Sequence, residues 1–268
     1  MKLEIIMAAY NNEAVMRLVL EGYLLQKDRD FSLCVADDGS GSEIKALVDK
    51  FADKGLSVRH VWQEDAGFRK ARVVNAAIAS STADYLVMTD NDCIPSAHFV
   101  ADHKARAKPG HYVAGRRVDL KSSLTDRLLS GDVEVARLNR FCFLVAQARK
   151  DGLKRAEVAF RPPSWLARLW SRKPQALLGA NFGVWRQDLI GVNGFDRDFE
   201  GYGFEESDLE WRLQRYGITS RPVRGRACLF HMYHQERSVS QESLEMLERK
   251  RRAGVMFVER GIEDQAIY

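Results

Sequence analysis

Asp90-Asn91-Asp92 closes the apolar run Tyr85-Leu86-Val87-Met88-Thr89, which reads as a buried strand. Two carboxylates one residue apart repel each other and are costly to bury unpaired. They suit a hard divalent cation and, through it, a diphosphate. Mg²⁺ and Mn²⁺ favour oxygen ligands, and Mg²⁺ sites often combine one or two carboxylates with substrate phosphate oxygens. An acid-x-acid triplet is also an ordinary polar turn, so the surrounding elements must decide its meaning.

Those elements alternate. Residues 3–9 read as a strand, and Asn11-Asn12-Glu13 opens a helical pattern through Val15, Leu18, Val19 and Leu25. Phe31 to Ala36 reads as a second strand, ending at the polar turn Asp37-Asp38-Gly39-Ser40-Gly41. A helix through Ile44, Leu47, Val48 and Phe51, a strand over Leu56 to Trp62, a helix over Lys70 to Ser80 and the strand before the triplet follow. This β-α-β-α-β-α-β order predicts a parallel, helix-covered sheet. Ligands bind beyond the C-terminal ends of such strands, where Asp37-Asp38 and Asp90-Asn91-Asp92 both fall. After about Phe99 the alternation stops. Residues 120–160 carry helical periodicity, Pro162-Pro163 breaks it, and a final strand-like run, Ala227-Cys228-Leu229-Phe230, leads to His231-Met232-Tyr233-His234. Residues 240–260 read as a charged helix, and there is no internal repeat or low-complexity segment.

With 268 residues, 46% hydrophobic and 29% charged, the chain has ample material for one large α/β core. No run of eighteen apolar residues suggests a spanning helix, and Met1 to Met7 reads as a strand instead of a leader. Cys34, Cys93, Cys142 and Cys228 are widely spaced without a CxxC pair, so a reduced, cytoplasmic protein is expected. Charge is uneven. Lys104 to Lys173 hold 17 Lys+Arg against 6 Asp+Glu, whereas the rest of the chain is net acidic. The middle segment therefore faces either solvent or something anionic.

Four clusters stand in order: Ala8-Ala9-Tyr10-Asn11-Asn12 with Asp37-Asp38-Gly39-Ser40; Asp65-Ala66-Gly67-Phe68-Arg69-Lys70-Ala71-Arg72-Val73-Val74-Asn75; Asp90-Asn91-Asp92-Cys93-Ile94-Pro95; and Gly201-Tyr202-Gly203-Phe204-Glu205-Glu206-Ser207-Asp208-Leu209 followed by His231 and His234. Over most of residues 1–240 this set resembles the inverting nucleotide-sugar glycosyltransferases of the GT-A fold. Its flavour is that of bacterial capsule and lipopolysaccharide transferases, including the chondroitin-polymerase type, and of the β-1,4-galactosyltransferases. The resemblance implies a single α/β domain over 1–240. In it a Rossmann-like nucleotide-binding half (1–98) is fused to an acceptor-binding, catalytic half (99–240) with a basic helical insertion at about 116–175. Residues 241–268 would form a helical extension.

It also implies roles. Ala9, Tyr10 and Asn11 would line the nucleotide, and Asp37 or Asp38 would accept the uracil imide N–H or ribose hydroxyls. Asp-Asp-Gly-Ser is also an ordinary helix-capping turn. Phe68, Arg69 and Lys70, with Arg72 one step on, would meet the diphosphate, in keeping with the affinity of helix N-termini and cations for phosphate oxygens. Asp92 would bind metal directly, and Asp90 would bind ribose or a water-bridged metal, with Asn91 between them. A distant histidine would complete the set: His234 matches the family segment Tyr233-His234-Gln235-Glu236, and His231 is its rival. An imidazole ligand favours Mn²⁺ over Mg²⁺. Gly179-Ala180-Asn181-Phe182 would floor the donor sugar. An inverting transfer needs one carboxylate to take the acceptor's proton, and the family motif places that base on Glu206, with Glu205 beside it on substrate hydroxyls. Relatives usually carry Glu-Asp there, so the Glu-Glu pair leaves the two roles open. Asp208 reads as structural.

The implied reaction moves a hexose-type sugar from a UDP-sugar to a glycan or lipid-linked acceptor in surface polysaccharide assembly. A nucleotidylyltransferase would carry a Gly-rich, basic triphosphate loop after the first strand, where this chain has Ala9-Tyr10-Asn11-Asn12. The basic middle segment lacks any nucleic-acid motif or interleaved aromatic platform, so no nucleic-acid partner is expected. Trp165, Leu166, Leu169 and Trp170 fall at helical spacing, with Arg168, Arg172 and Lys173 largely off the stripe. Such an element either lies weakly on an anionic membrane face or packs on the domain and lines an acceptor groove.

Overall fold

The computed structural model describes residues 1–150, 152–173, 175–201, 203–235 and 241–263. The first half runs β1 (Leu3–Ala9), α1 (Glu13–Leu24), β2 (Ser32–Asp37), α2 (Ser42–Asp53), β3 (Val58–Trp62), α3 (Lys70–Ala79), β4 (Tyr85–Asp90), β5 (Cys93–Pro95) and α4 (Phe99–Arg106). The second runs β6 (His111–Ala114), β7 (Arg116–Leu120), α5 (Ser122–Leu129), α6 (Phe141–Arg149), β8 (Leu153–Lys154), α7 (Ser164–Trp170), β9 (Phe182–Trp185), α8 (Arg186–Gly191), α9 (Glu205–Arg215), β10 (Thr219–Pro222), β11 (Cys228–His231) and α10 (Gln241–Ala253). Short 3₁₀ turns occupy Val135–Asn139 and Ala156–Ala159.

The main sheet has the order β10-β6-β9-β4-β1-β2-β3. Strands β3, β2, β1 and β4 are mutually parallel, and β9 enters antiparallel beside β4. Strands β1, β2 and β4 are largely apolar on both faces because helices cover both, whereas the edge strand β3 carries Arg59 and His60. Ile5, Met7, Leu33 and Val35 pack with Leu18, Ile44 and Phe51 of α1 and α2 on one face. Ile6, Cys34 and Ala36 pack with Val74 and Ile78 of α3 and with Leu209 and Leu213 of α9 on the other. The strand period of two sends alternate residues to the two layers.

A second sheet, β5-β11-β7-β8, continues from the end of β4. Of this layer the sequence anticipates only β11, as the strand-like run Ala227-Cys228-Leu229-Phe230. Its strands are two to five residues long, too short for periodicity to register. The 120–160 helical pattern resolves into α5, a 3₁₀ turn and α6. Among the described residues no helix is long and apolar enough to cross a membrane.

Candidate active site at the edge of the parallel sheet

The C-terminal ends of β1, β2 and β4 converge on one crevice. Register puts them there: Ala8 pairs with Ala36 and with Asp90, and Ala9 with Asp37. The loops beyond are fastened together. Asn91 N donates to Ala8 O at 3.0 Å, its side-chain amide donates to Asn11 O at 3.1 Å, and Asn11 N donates to Ser40 Oγ at 2.7 Å. Asn11, Asn12 and, across the crevice, Phe204 sit in the left-handed region with φ of 52°, 62° and 71°. That conformation is costly for a phenylalanine and is held where surrounding structure demands it. Tyr10 is exposed at the rim, its hydroxyl donating to Asp65 Oδ2 at 3.0 Å.

The two acids after β2 differ in environment. Asp37 is fully buried. Its Oδ1 accepts from Ser40 N at 2.9 Å and from the Ser40 hydroxyl, and its Oδ2 lies 2.8 Å from His60 Nε2. Burial opposes its charge, but His60 and Ser40 hold its pKa below the usual carboxylate range. Asp38 accepts from the Gln63 amide and, at 2.7 Å, from Arg69 N, and burial pushes its pKa up. Asp38 thus fixes the turn that enters α3. His60 and Gln63, on β3 and just after it, were not singled out in the sequence. Only their spacing from the Asp-Asp turn across a parallel strand pair could have flagged them.

Lys70, the first residue of α3, reaches across the crevice. Its Nζ lies 2.8 Å from Glu206 Oε1 and 3.3 Å from Asp90 Oδ1. Burial works against its charge, yet Asp90, Glu206 and Glu205 hold its pKa well above the ordinary lysine value. Asp90 is pushed up by burial and by Asp92 and Glu206, against the pull of Lys70. The lysine expected to meet a diphosphate therefore links the acid ending β4 to the acids opening α9. Arg69 turns away, donating to Glu64 O, and its Nε is a buried donor without an acceptor among the described residues. Phe68 O accepts from Gly201 N at 3.4 Å, tying this turn to the loop before α9.

Glu205 and Glu206 occupy the first turn of α9, where helix N–H groups favour carboxylates. Glu205 is buried and accepts from Gly203 N at 3.0 Å, and burial with repulsion from Glu206 raises its pKa to about 7. Glu206 is more open and lies against Gly179, where a Cβ would stand 2.2 Å from its Oε1. Only glycine leaves that carboxylate its place. Asp208 is buried and paired at 2.7 Å with the equally buried Arg212, in line with a structural role. Tyr202 of the Gly-Tyr-Gly turn and Glu236 of the histidine segment lie outside the described residues.

Asp92 begins a second cluster. In the small sheet His231 pairs with Cys93 on one side and with Asp119 on the other. This register carries Asp92 and Asp119 to the two flanks of the His231 ring. His231 Nε2 lies 3.5 Å from Asp92 Oδ2, His234 Nε2 lies 3.2 Å from the same oxygen, and the two Nε2 atoms are 3.1 Å apart. Each ring turns its Nδ1 toward oxygen: His231 toward Asp119 Oδ1 at 3.5 Å, His234 toward Gln235 O at 2.8 Å. Once a cation displaces the Nε2 protons, rings oriented in this way would direct their lone pairs at one point. Bonds of about 2.1 Å at right angles place neighbouring donors about 3 Å apart, so this oxygen and two nitrogens fit a divalent cation. Burial disfavours charge on Asp92, but His231 and His234 hold its pKa well below the usual range. Burial also disfavours charge on His231, yet Asp119 and Asp92 carry its pKa up to about 9. The rivals His231 and His234 are therefore both present, and Asp90 points away from them to Lys70. Asp119, with Arg117 Nε donating to it at 3.0 Å, went unremarked in the sequence. Its one signal is the alternation of Arg117 and Asp119 with the buried Val118 and Leu120.

Asn181 occupies a different position from the one its motif suggested. It is fully buried, with Oδ1 3.0 Å from His103 Nε2 and Nδ2 donating to Arg116 O and Ala227 O, both at 2.8 Å. Its amide clips the second sheet to α4. Buried against Phe99 and hydrogen-bonded to this amide, His103 has its pKa lowered to about 4 by burial and stays neutral.

A helix-covered parallel sheet, an acid-x-acid triplet at its edge and a facing acidic helix are the arrangement of a GT-A glycosyltransferase. The family model described as glycosyl transferase family 2 matches residues 4–157, and that described as the N-terminal domain of galactosyltransferase matches residues 168–235. The chain belongs to glycosyl transferase family 2. It is 25% identical over 245 residues to a chondroitin synthase of Escherichia coli, covering 87% of this chain and 34% of that protein. It is 24% identical over 246 residues to a hyaluronan synthase of Pasteurella multocida, covering 87% and 24%. It is 27% identical over 229 residues to a validoxylamine A glucosyltransferase of Streptomyces hygroscopicus, covering 81% and 48%. The chain thus spans about a quarter to a half of the length of these relatives. In fold it is similar to TarS of S. aureus (TM-score 0.63, 14% identity, 98% of this chain and 41% of that one). It is also similar to a mannosyltransferase of Pyrobaculum calidifontis (TM-score 0.57, 19% identity, 95% and 61%).

Proposed function

We propose that the protein is a metal-dependent, inverting hexosyltransferase that moves a sugar from a UDP-sugar to a glycan or glycolipid acceptor. The observation that carries this reading is the pairing of two sites on one crevice. Asp92, His231 and His234 form a three-donor cluster, and the acid two residues before Asp92 is joined through Lys70 to the acid pair of α9.

In this reading Asp92, His231 and His234 hold Mn²⁺, with Mg²⁺ as a weaker substitute given the imidazole donors. The bound ion supplies neutralisation of charge on the departing diphosphate. Asp38 and the turns of Ala9, Tyr10 and Asn11 seat the nucleotide. Lys70 brings its positive charge to the diphosphate side while remaining near Glu206. Glu206, held against Gly179 and open to the crevice, takes the proton from the acceptor hydroxyl as that oxygen attacks the anomeric carbon from the face opposite the diphosphate. Glu205 accepts from the Gly203 N–H and orients the α9 turn and substrate hydroxyls.

Support for a UDP donor comes from TarS, whose structures include complexes with UDP and with UDP-GlcNAc. Support for manganese comes from the mannosyltransferase, which is in complex with GDP-Man and Mn²⁺. The names of the chondroitin and hyaluronan synthases support a polymer or its lipid-linked precursor as acceptor, in a bacterial capsule or lipopolysaccharide. The test is a screen of UDP-sugars for released UDP with and without Mn²⁺. One or more sugars should release UDP only with the metal. No release from any of them, or release indifferent to chelation, would overturn the reading.

A further inference from the structure

The structure divides the tryptophan stripe of α7. Ala167 is buried, and Trp170 packs at the chain turn where its ring lies 3.1 Å from the Cβ position of Gly225. Ser171 Oγ accepts from Arg224 N at 2.9 Å, and Arg226 donates to Pro162 O at 2.7 Å, so both ends of the helix are pinned to the β10–β11 connection. The other apolar side chains face outward: Trp165 is 64% exposed, Leu166 42% and Leu169 44%. Phe141, 63% exposed, is in ring contact with Phe160 at 5.4 Å, four residues before the helix begins. An isolated exposed leucine needs no explanation, but a helix held at both ends that presents a tryptophan and two leucines does.

The surroundings are cationic. Arg168, Arg172 and Lys173 have no acidic partner among the described residues. Arg168 and Arg221 lie close enough to Arg106 that, after burial, they are what depresses its guanidinium pKa. Arg224 and Arg155 similarly follow burial in depressing Arg116. Of the acids nearby, Asp102 is taken by Arg161 and Arg226, Asp119 by Arg117, Arg155 and His231, and Glu210 accepts from the Tyr112 hydroxyl and Leu177 N.

We propose that α7 and its ring of arginines dock the protein on an anionic phospholipid bilayer. Trp165, Leu166 and Leu169 enter the headgroup–acyl boundary while Arg168, Arg172 and Lys173 meet lipid phosphates. Tryptophan and leucine beside basic residues is the composition of interfacial helices, and basic side chains near an anionic surface add attraction that salt screens. A soluble polyanion would use the arginines but not the outward apolar trio, whereas a bilayer uses both. The docking is independent of the transfer reaction and is measured without it.

The test is co-sedimentation of the full chain with vesicles of pure phosphatidylcholine and of equal parts phosphatidylcholine and phosphatidylglycerol. Binding is expected to the mixed vesicles only, and to be lost at high salt. Trp165→Ala with Leu169→Ala should weaken it roughly tenfold, and Arg168→Glu with Arg172→Glu should abolish it, with melting temperature and UDP release unchanged in both variants. Absence of binding to mixed vesicles at low ionic strength would overturn the proposal. So would full binding by the Trp165/Leu169 variant, which would mean that charge alone is read. A dimer in solution that the same variant dissolves would assign the face to a second copy instead.

Discussion

Lys70 Nζ stands 2.8 Å from Glu206 Oε1, across 136 residues of sequence, and joins the parallel half of the main sheet to the helix that carries the acids. Both side chains are largely buried, so the pair is not a screened surface contact. Lys70→Met is expected to leave Asp90 and Glu206 facing each other without a cation. Losing a partner of charged hydrogen bonds costs roughly 1–3 kcal/mol, and transfer should fall with it, roughly 10²-fold. Urea unfolding and a transfer assay check this. Wild-type stability and rate in the variant would mean that the bridge is incidental.

Glu206→Gln should lower transfer by roughly 10²-fold or more, the usual scale for losing an acid–base group, while UDP affinity in the presence of Mn²⁺ barely changes. If Glu205→Gln is inactive and Glu206→Gln is active, the two acids have exchanged roles.

Gly179→Ala tests the same carboxylate from the opposite side. Its new Cβ would stand 2.2 Å from Glu206 Oε1, and a flexible Glu side chain can swing aside at little cost. The expected result is a large loss of transfer with a melting temperature within a few degrees of wild type. Retained activity would show that Glu206 need not occupy that position.

Glu205 gives a pH signature. Its folded pKa of about 7 lies above the unfolded value of about 4.3, so between the two the folded state binds more protons than the unfolded chain. Stability attributable to this group is therefore present at low pH and declines as pH rises through about 7. The groups facing it are Glu206, Lys70 and the Gly203 N–H. Glu205→Gln should gain stability relative to wild type between pH 5 and pH 8, read from melting temperatures. Parallel curves would contradict the raised pKa.

Asp119 does not reach the three-donor cluster itself but flanks the His231 ring at 3.5 Å. Removing an outer partner of a metal-binding histidine typically costs 10- to 100-fold in metal affinity. Asp119→Asn should therefore weaken Mn²⁺ binding on that scale, and His231→Ala and His234→Ala should each weaken it further. Unchanged affinity in His231→Ala would leave His234 and Asp92 as the protein's ligands.

The legibility of this site in the sequence followed the length of the elements. Strands β1, β2 and β4 are long apolar runs ending in acids, so the crevice and its Asp37-Asp38 and Asp90-Asn91-Asp92 rims could be read directly. The histidine rivalry could not be resolved, because it depends on β11 lying between β5 and β7, a pairing between segments over a hundred residues apart. Asn181 misled for a similar reason: a polar residue among glycines suggests a ligand floor, and only the buried neighbours His103 and Ala227 reveal a clip. The tryptophan stripe was legible as a helix but not as two faces, since the contact that turns Trp170 inward is with Gly225, in the distant β10–β11 connection.

The central claim, that the crevice binds a nucleotide diphosphate through a metal held by Asp92 and the two histidines, is tested most directly by calorimetric titration of UDP with Mn²⁺ and with chelator, on wild type and Asp92→Asn. UDP is expected to bind wild type only with Mn²⁺, and Asp92→Asn, with an unchanged circular dichroism spectrum, is expected to bind in neither condition. UDP binding that survives chelation, or Mn²⁺-dependent binding that survives Asp92→Asn, would contradict it.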